Sequence, residues 1–247
     1  MQRYFCDSNE EVVTLSSDDS YHITKVMRMN VGDNIELVSN NKLYIAEIIK
    51  TTPNVIVKKN SIQESFDTNT NIDIAQSIVV EQKMDYILQK GTELGVNKFI
   101  PLIVDRNVVK LNNKSDKKQK RWQTIVKEAA EQSKRLEVPT VANPCNIKEL
   151  AKLDYDLKIL CSVNETSKNI KTVLSNISIS DRILVVVGSE GGFTNLEEQE
   201  LIKNGFVSVS LGNRVLRTET ASLFVLSVIN YIFMRWFYDS IFWISFY

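Results

Sequence analysis

The chain has 247 residues, of which 43% are apolar and 24% charged, with four prolines and eight glycines; this is an ordinary folded chain of one or two domains, and the composition excludes disordered and collagen-like classes. Thirty basic residues balance thirty acidic ones, so net charge says nothing about nucleic acid and its distribution has to be read instead. Three widely spaced cysteines (Cys6, Cys145, Cys161) and one histidine, His22, give neither a disulfide framework nor a metal-ligand pattern, and point to a reducing compartment.

Met1-Gln-Arg-Tyr-Phe-Cys-Asp lacks the basic and apolar regions of a secretory signal, so a cytoplasmic location is expected. Residues 1–72 read as a small β-rich domain. Ile35–Val38, Leu43–Ile48 and Val55–Val57 are β-prone runs, separated by the turn-rich pieces Asn30–Asn34, Ser39–Asn41 and Thr51–Asn54. Short strands with tight connections predict a small barrel or sandwich. The polar stretch Glu64–Asn71 reads as a linker.

From residue 73 the texture changes. Ile72–Val80 is a strand candidate, and Met84, Ile87, Leu88 and Leu94 recur at helical spacing after it. Lys98–Val104 predicts a further strand, and Trp122, Ile125, Val126, Ala129 and Ala130 a second helical stripe. Leu157–Cys161 and Ile183–Val187 are compact apolar strands; Thr194, three residues before Glu197, signals a capped helix over 195–204. Phe206–Leu211 is the next strand, with a helix starting near Glu219 and Thr218 available to cap it. Strands alternating with helices predict a parallel α/β domain over 73–247. Residues 221–247 are mostly apolar, and the last 17 include nine aromatics; Arg235 and Asp239 interrupt them. A core helix over Ala221–Tyr231 followed by a dimer-interface or atypical tail is the reading, and no stable membrane association is expected.

Charge is uneven along the chain. Residues 1–72 hold seven basic and ten acidic residues, a net of −3, whereas 100–137 hold ten basic and five acidic, a net of +5. The run Lys110, Lys114, Lys117, Lys118, Lys120, Arg121 reads either as a solvated face or as a set of phosphate contacts.

Two segments carry chemistry. Gly188-Ser-Glu-Gly-Gly follows an apolar strand and precedes the capped helix, where α/β sheets bind ligands. It is neither a Walker loop nor a dinucleotide fingerprint. Leu211-Gly-Asn-Arg-Val-Leu-Arg-Thr-Glu-Thr-Ala221 follows the next strand and sets Gly212, Arg214, Arg217 and Glu219 at the approach to a helix. Together they read as two walls of one pocket, although a tight turn and ordinary salt bridges would account for either one alone.

These motifs closely resemble the bacterial 16S ribosomal RNA uridine N3-methyltransferase family, of the SPOUT superfamily. The resemblance runs through Met1-Gln-Arg-Tyr-Phe5, His22-Ile-Thr-Lys-Val-Met-Arg-Met29, Val31-Gly-Asp33, Gln89-Lys-Gly-Thr-Glu-Leu-Gly-Val96, Arg106-Asn-Val-Val109, Arg121-Trp122 and Glu128-Ala-Ala-Glu-Gln-Ser133 to the two carboxyl-terminal loops. It implies a PUA-like RNA-binding β-barrel over 1–72, a trefoil-knotted α/β methyltransferase domain over 73–247, S-adenosylmethionine as cofactor and a homodimer. The substrate it implies is N3 of a uridine in 16S rRNA of the small ribosomal subunit. Carried over residue by residue, the cofactor loops are Gly188, Glu190, Gly191 and Gly192, then Leu211, Gly212, Arg214, Leu216 and Arg217. The RNA-side or active-site residues are Arg3, His22, Arg28, Lys90, Glu93, Arg106, Glu131, Gln132 and Arg135. His22 is read equally well as a structural hydrogen-bonding residue.

Three positions depart from the family pattern. Ser189 stands where proline is usual, which predicts a looser loop. Gly91 replaces an alanine and predicts a locally weaker helix, and Val80 stands where a lysine precedes the central helix. Methyl transfer from a sulfonium cofactor is mainly a positioning task. Uracil N3 carries a proton on its pairing edge, so the base has to be unpaired and the proton removed or the anion stabilised. Arg217 is expected to hold the uracil or stabilise negative charge, with Glu219 as proton-acceptor candidate. A non-catalytic RNA-binding protein and a methyltransferase acting on another RNA base remain open on the sequence.

Overall fold

The alternation near the amino terminus becomes a mixed five-stranded sheet. In the computed structural model, which describes residues 1–64, 71–107 and 115–244 (backbone alone for 115 and 234–244), this sheet contains β1 (Arg3–Phe5), β2 (Val12–Thr14), β3 (Asn34–Ser39), β4 (Lys42–Lys50) and β5 (Ile56–Gln63). Their order is β1-β3-β4-β5-β2; β1 runs parallel to β3 and the other pairs are antiparallel. Asn40 and Asn41 join β3 to β4 with φ of 50° and 60°, the paired left-handed backbone of a tight hairpin turn, which asparagine tolerates. In β4, Leu43, Ala46 and Ile48 are buried. The step of three between the first two is absorbed by a bulge at Ile45/Ala46, which turns the strand's apolar face back to the core. That core gathers Tyr4, Val13, Leu15, Ile23, Ile35, Leu37, Ala46, Ile48, Val55 and Val57. Between β2 and β3, α1 (Ser17–Tyr21) is capped by the Ser16 hydroxyl, which accepts from Asp19 N at 3.1 Å, and runs on into a π-helical turn at His22–Val26.

From residue 72 the elements alternate: β6 (Ile72–Ser77), α2 (Glu81–Glu93), β7 (Lys98–Ile103), α3 (Ser115–Gln132), β8 (Thr140–Val141), β9 (Cys145–Asn146), α4 (Ile147–Ala151), β10 (Leu157–Cys161), α5 (Ile170–Val173), β11 (Ile183–Val187), α6 (Asn195–Lys203), β12 (Val207–Val209) and α7 (Thr218–Ile244). The strands form a parallel sheet in the order β12-β10-β11-β6-β7-β8, with β9 also paired to β7. All five residues of β11 are buried, as expected of a strand covered on both faces. One face packs Ala75, Leu102, Leu184, Val186, Phe193 and Leu201 into a core. The helical stripes do what their spacing predicts: Met84, Ile87 and Leu88 of α2 and Trp122, Val126, Ala129 and Ala130 of α3 are buried.

The chain groups into two compact units, Met1–Asp67 with Ala130–Val138, and Thr68–Ala129 with Pro139–Tyr247. The end of α3 and the turn after it therefore belong with the first unit, a membership that a linear division near residue 72 omits. Strand β6 stops at Ser77 instead of Val80, because Val80 is already the residue from which α2 starts. Most of the expected linker, Lys110, Lys114 and the aromatic side chains of the tail beyond Phe233 lie outside the described residues. Among the described residues, no helix is long and apolar enough to cross a membrane.

Candidate active site

The two chemistry-bearing segments leave the sheet at neighbouring places. Because β10 lies between β11 and β12, the loops that follow β11 and β12 flank its carboxyl end, where parallel sheets hold their ligands. The first loop turns tightly, with Gly192 N donating to Ser189 O at 3.0 Å. Gly192 sits at φ 64° and Gly212 of the second loop at φ 121°, and at both the place a Cβ would occupy has no atom within 4 Å. Each loop thus presents bare backbone to open space, where a ligand can approach the main chain closely.

The first loop is braced from several sides. Arg106 donates from one guanidinium nitrogen to Gly191 O at 2.9 Å and to Phe193 O at 3.0 Å. In return the Ser189 hydroxyl donates to Arg106 O at 3.1 Å, a bond that the proline usual at this position cannot make. The expected looseness at Ser189 is therefore offset: the residue is buried and its hydroxyl fastens the loop. Glu197, in the first turn of α6, completes a capping box with Thr194 and also accepts from Asp105 N at 2.8 Å. One carboxylate therefore anchors both the Arg106 segment and the end of the glycine loop.

The second wall is fixed through α7. Thr218, the cap candidate, is the first residue of α7, and its hydroxyl donates to Gly188 O at 2.6 Å and accepts from Gln76 Nε2 at 2.9 Å. Ser222 donates to Gln76 Oε1 at 2.6 Å, and Gln76 Nε2 also donates to Ser77 O at 2.9 Å. Gln76 and Ser222 are fully buried, and this closed polar set meets the requirement that buried hydrogen-bonding groups find partners. Leu211 and Leu216 are half-buried, whereas Gly212, Arg214 and Arg217 are exposed. Lys83, on the first turn of α2, reaches Glu190 Oε1 at 2.8 Å and Glu219 Oε2 at 3.6 Å. Further along α2, Lys90 pairs with Glu93 at 2.7 Å.

The remaining residues of the expected set lie in the first unit, mostly in structural contacts. Arg3 is buried; it donates to Glu36 Oε2 at 2.8 Å, to Arg135 O at 3.0 Å and to Lys134 O. Arg135 and Glu131 are buried as well. His22 Nδ1 is 2.9 Å from the Tyr4 hydroxyl, with the two rings edge to face. Burial, followed by the charges of Glu131 and Asp19, drives the Tyr4 phenol far above its ordinary pKa. Gln132 and Arg28 are exposed, Arg28 on left-handed backbone at φ 56°.

Four residues of the site had not been singled out: Gln76, Lys83, Glu197 as an anchor for Asp105, and Ser222. A signal existed for one of them. A lysine in the first turn of a helix opposes the helix dipole, so Lys83 calls for nearby carboxylates.

Comparison with known proteins identifies the family. The RNA methyltransferase domain family matches residues 67–230, and the RNA methyltransferase PUA domain matches residues 15–59. The chain belongs to the RNA methyltransferase domain family, with an RNA methyltransferase PUA domain preceding it. Within that class, it is 36% identical to ribosomal RNA small subunit methyltransferase E of Bacillus subtilis, over 94% of this chain and 96% of that one. The ribosomal RNA small subunit methyltransferase E of Neisseria gonorrhoeae, solved bound to S-adenosyl methionine, superposes with a TM-score of 0.84 at 32% identity, over 94% and 98% of the two chains. A putative methyltransferase of Legionella pneumophila in complex with the same cofactor gives a TM-score of 0.86 at 30% identity, over 93% and 97%. The chain is thus a member of the ribosomal RNA small subunit methyltransferase E family.

Proposed function

We propose that this protein transfers the methyl group of S-adenosylmethionine to N3 of a uridine in 16S rRNA of the small ribosomal subunit. The observation that carries the reading is the pair of glycine-bearing loops at the ends of β11 and β12, with Arg214 and Arg217 exposed beside them, in a member of a ribosomal RNA methyltransferase family. Gly188, Glu190, Gly191 and Gly192 form one wall of the cofactor cleft; Leu211, Gly212, Arg214, Leu216 and Arg217 form the other. The cofactor supplies an activated methyl group on a sulfonium centre, so the protein's own task is alignment and charge. Arg217 holds the uracil and stabilises negative charge at the pairing edge, and Glu219 accepts the N3 proton. Since N3 lies on the pairing edge, the base is bound unpaired.

RNA contact in the first unit falls to the exposed Arg28 rather than to the buried Arg3 and Arg135, and Lys90 with the exposed Lys117 and Lys120 of α3 adds phosphate contacts. A PUA-like part over 1–72, a trefoil-threaded part over 73–247, a homodimer and a cytoplasmic location complete the reading. The test is radiolabelled methyl transfer to unmodified small subunits, followed by nucleoside mapping, with naked 16S rRNA beside it. Label in 3-methyluridine is the expected result. Label in another nucleoside would overturn the base assignment, and cofactor binding without transfer to either RNA would favour a non-catalytic RNA-binding protein.

A further inference from the structure

We propose that Lys83 is a positioning residue that braces the cofactor cleft by tying Glu190, in the loop after β11, to Glu219, at the start of α7. The inference deepens the methyltransferase reading above and rests on it for its functional consequence. Three observations carry the brace itself. The first is geometric: one ammonium group lies 2.8 Å from Glu190 Oε1 and 3.6 Å from Glu219 Oε2, so a single cation spans the two segments that form the walls. These segments are far apart in sequence, and Lys83 comes from a third element, α2.

The second is the placing of Lys83 on its helix. It is the third residue of α2, and Val80 before the helix supplies no side-chain cap. A cation there opposes the helix dipole, so α2 itself gives no reason for a lysine at this position. Two carboxylates facing it do. The third is the state of the loop carboxylate. Partial burial works to raise the Glu190 pKa, yet its net shift is downward, because the Lys83 hydrogen bond, the backbone hydrogen bond at Glu190 and the Lys83 charge together outweigh the burial. The same pairing pushes the Lys83 ammonium pKa up. The Lys83, Glu190 and Glu219 side chains are 29%, 35% and 16% exposed, so the brace sits at the rim, where it can fasten a loop without being part of the core. Around it, Arg106 holds the outer turn of the same loop and Thr218 holds its base. Lys83 is the connection that reaches from this loop to Glu219, the proton-acceptor candidate.

The experiment uses the full chain with Lys83→Met, Lys83→Arg, Glu190→Gln and the Lys83→Met/Glu190→Gln double variant. Hydrogen exchange of the peptide covering 188–194, without cofactor, reads the brace directly. Exchange is expected to quicken about fivefold in Lys83→Met, the upper range for a partly exposed ion pair, and to return to within about twofold in Lys83→Arg, which keeps the charge. Glu190→Gln should reproduce the effect, and the double variant should add little to either single change, as for two residues acting through one contact. Calorimetry with S-adenosylmethionine and methyl-transfer assays follow. A weakening of cofactor affinity by about the same factor is expected, with KM for the cofactor raised in parallel and the thermal midpoint moved by no more than about 2 °C.

Unchanged exchange over 188–194 in Lys83→Met, or full additivity in the double variant, would overturn the brace even if the wild type methylates RNA normally. Altered exchange in a protein that binds no S-adenosylmethionine would keep the brace and overturn the methyltransferase reading. Should Lys83→Met unfold, Glu190→Gln alone carries the same comparison, and exchange matching the wild type would again count against the proposal.

Discussion

Two pairs of arginines, Arg3 with Arg135 and Arg214 with Arg217, are placed in opposite ways. In the first, the guanidinium of Arg3 is buried between Glu36 and the carbonyls of residues 134 and 135, and Arg135 is buried too. At the edge of the parallel sheet, Arg214 and Arg217 stand exposed beside two glycine-bearing loops. Residues that a family resemblance groups together as functional are therefore of two physical kinds. Arg3, whose guanidinium is already hydrogen-bonded inside the fold, contributes to stability, and removing it leaves its partners uncompensated. Arg214 and Arg217, exposed on the loop after β12, have donors to offer a ligand.

Substitutions can break or sharpen this contrast, and the largest effect belongs to the exposed kind. Arg217→Ala should lower methyl transfer at saturating RNA and cofactor by about 100-fold, the scale for removing one stabilising donor, while the unfolding midpoint stays put. A wild-type rate would remove Arg217 from the chemistry. Arg3→Ala should do the reverse. Unfolding free energy should fall by about 2–3 kcal/mol, less than for a fully stranded buried ion because Lys134 still faces Glu36 at 3.0 Å; cofactor affinity should not change. An Arg3→Ala protein of normal stability with impaired RNA binding would erase the contrast.

The same pair sets an acid dependence. Burial raises the Glu36 pKa, but bonds from Lys134 and Arg3 outweigh it and the net shift is downward. A carboxyl lowered on folding contributes stability that is fully present above its unfolded pKa and is lost as pH falls through the folded value. Urea titrations below the ordinary glutamate range should show that loss in the wild type, and a shallower one in Arg3→Ala.

Gln76→Leu tests whether the cleft's own buried set behaves like the first unit. It takes one partner from the Ser222 hydroxyl, which keeps Thr218 O at 3.0 Å, and one from the Thr218 hydroxyl, so a loss of about 1–2 kcal/mol in stability is expected. Unlike Arg3→Ala, it should also weaken S-adenosylmethionine binding, measured by calorimetry, because Thr218 holds Gly188. The smallest effect is expected at Gly91. Helix propensity alone predicts that alanine would stabilise α2 by up to about 1 kcal/mol. A Cβ there would meet the buried Phe99 ring at 2.8 Å, and overpacking reverses the sign, for a net loss of about 1 kcal/mol by thermal unfolding. Phe99→Leu in the same chain should recover part of it; a more stable Gly91→Ala protein would show that the ring gives way freely.

Much of this was legible in the sequence because local rules and the final fold agree. The apolar runs 157–161 and 183–187 became β10 and β11 residue for residue, and Thr194 with Glu197 formed the expected capping box. The short elements β1, β2, β8 and β9 were not legible, since two- and three-residue strands carry no periodicity and are defined by the partners they find. Within the site, glycines and arginines on strand-end loops could be seen in advance. The Gln76–Thr218–Ser222 set could not, because its members lie 142 and 146 residues apart along the chain. Gly91 shows the remaining limit: its reason is a ring on the next strand, not the helix it belongs to.

The hydrogen bond from Thr218 to Gly188 joins residues thirty apart, and polymer statistics set what it can do. Closing a chain segment of that length costs about 3 kcal/mol on its length-dependent part alone, whereas a neutral hydrogen bond returns about 1 kcal/mol net. The clasp therefore cannot gather the segment by itself. It forms once β10, β11 and β12 have brought the two ends together through their apolar pairing, which makes the cleft a late product of folding. A chain with secondary structure but an unfinished sheet would lack this pairing of loops; if the cofactor binds there as proposed, its affinity reports on the completed fold rather than on any of its parts.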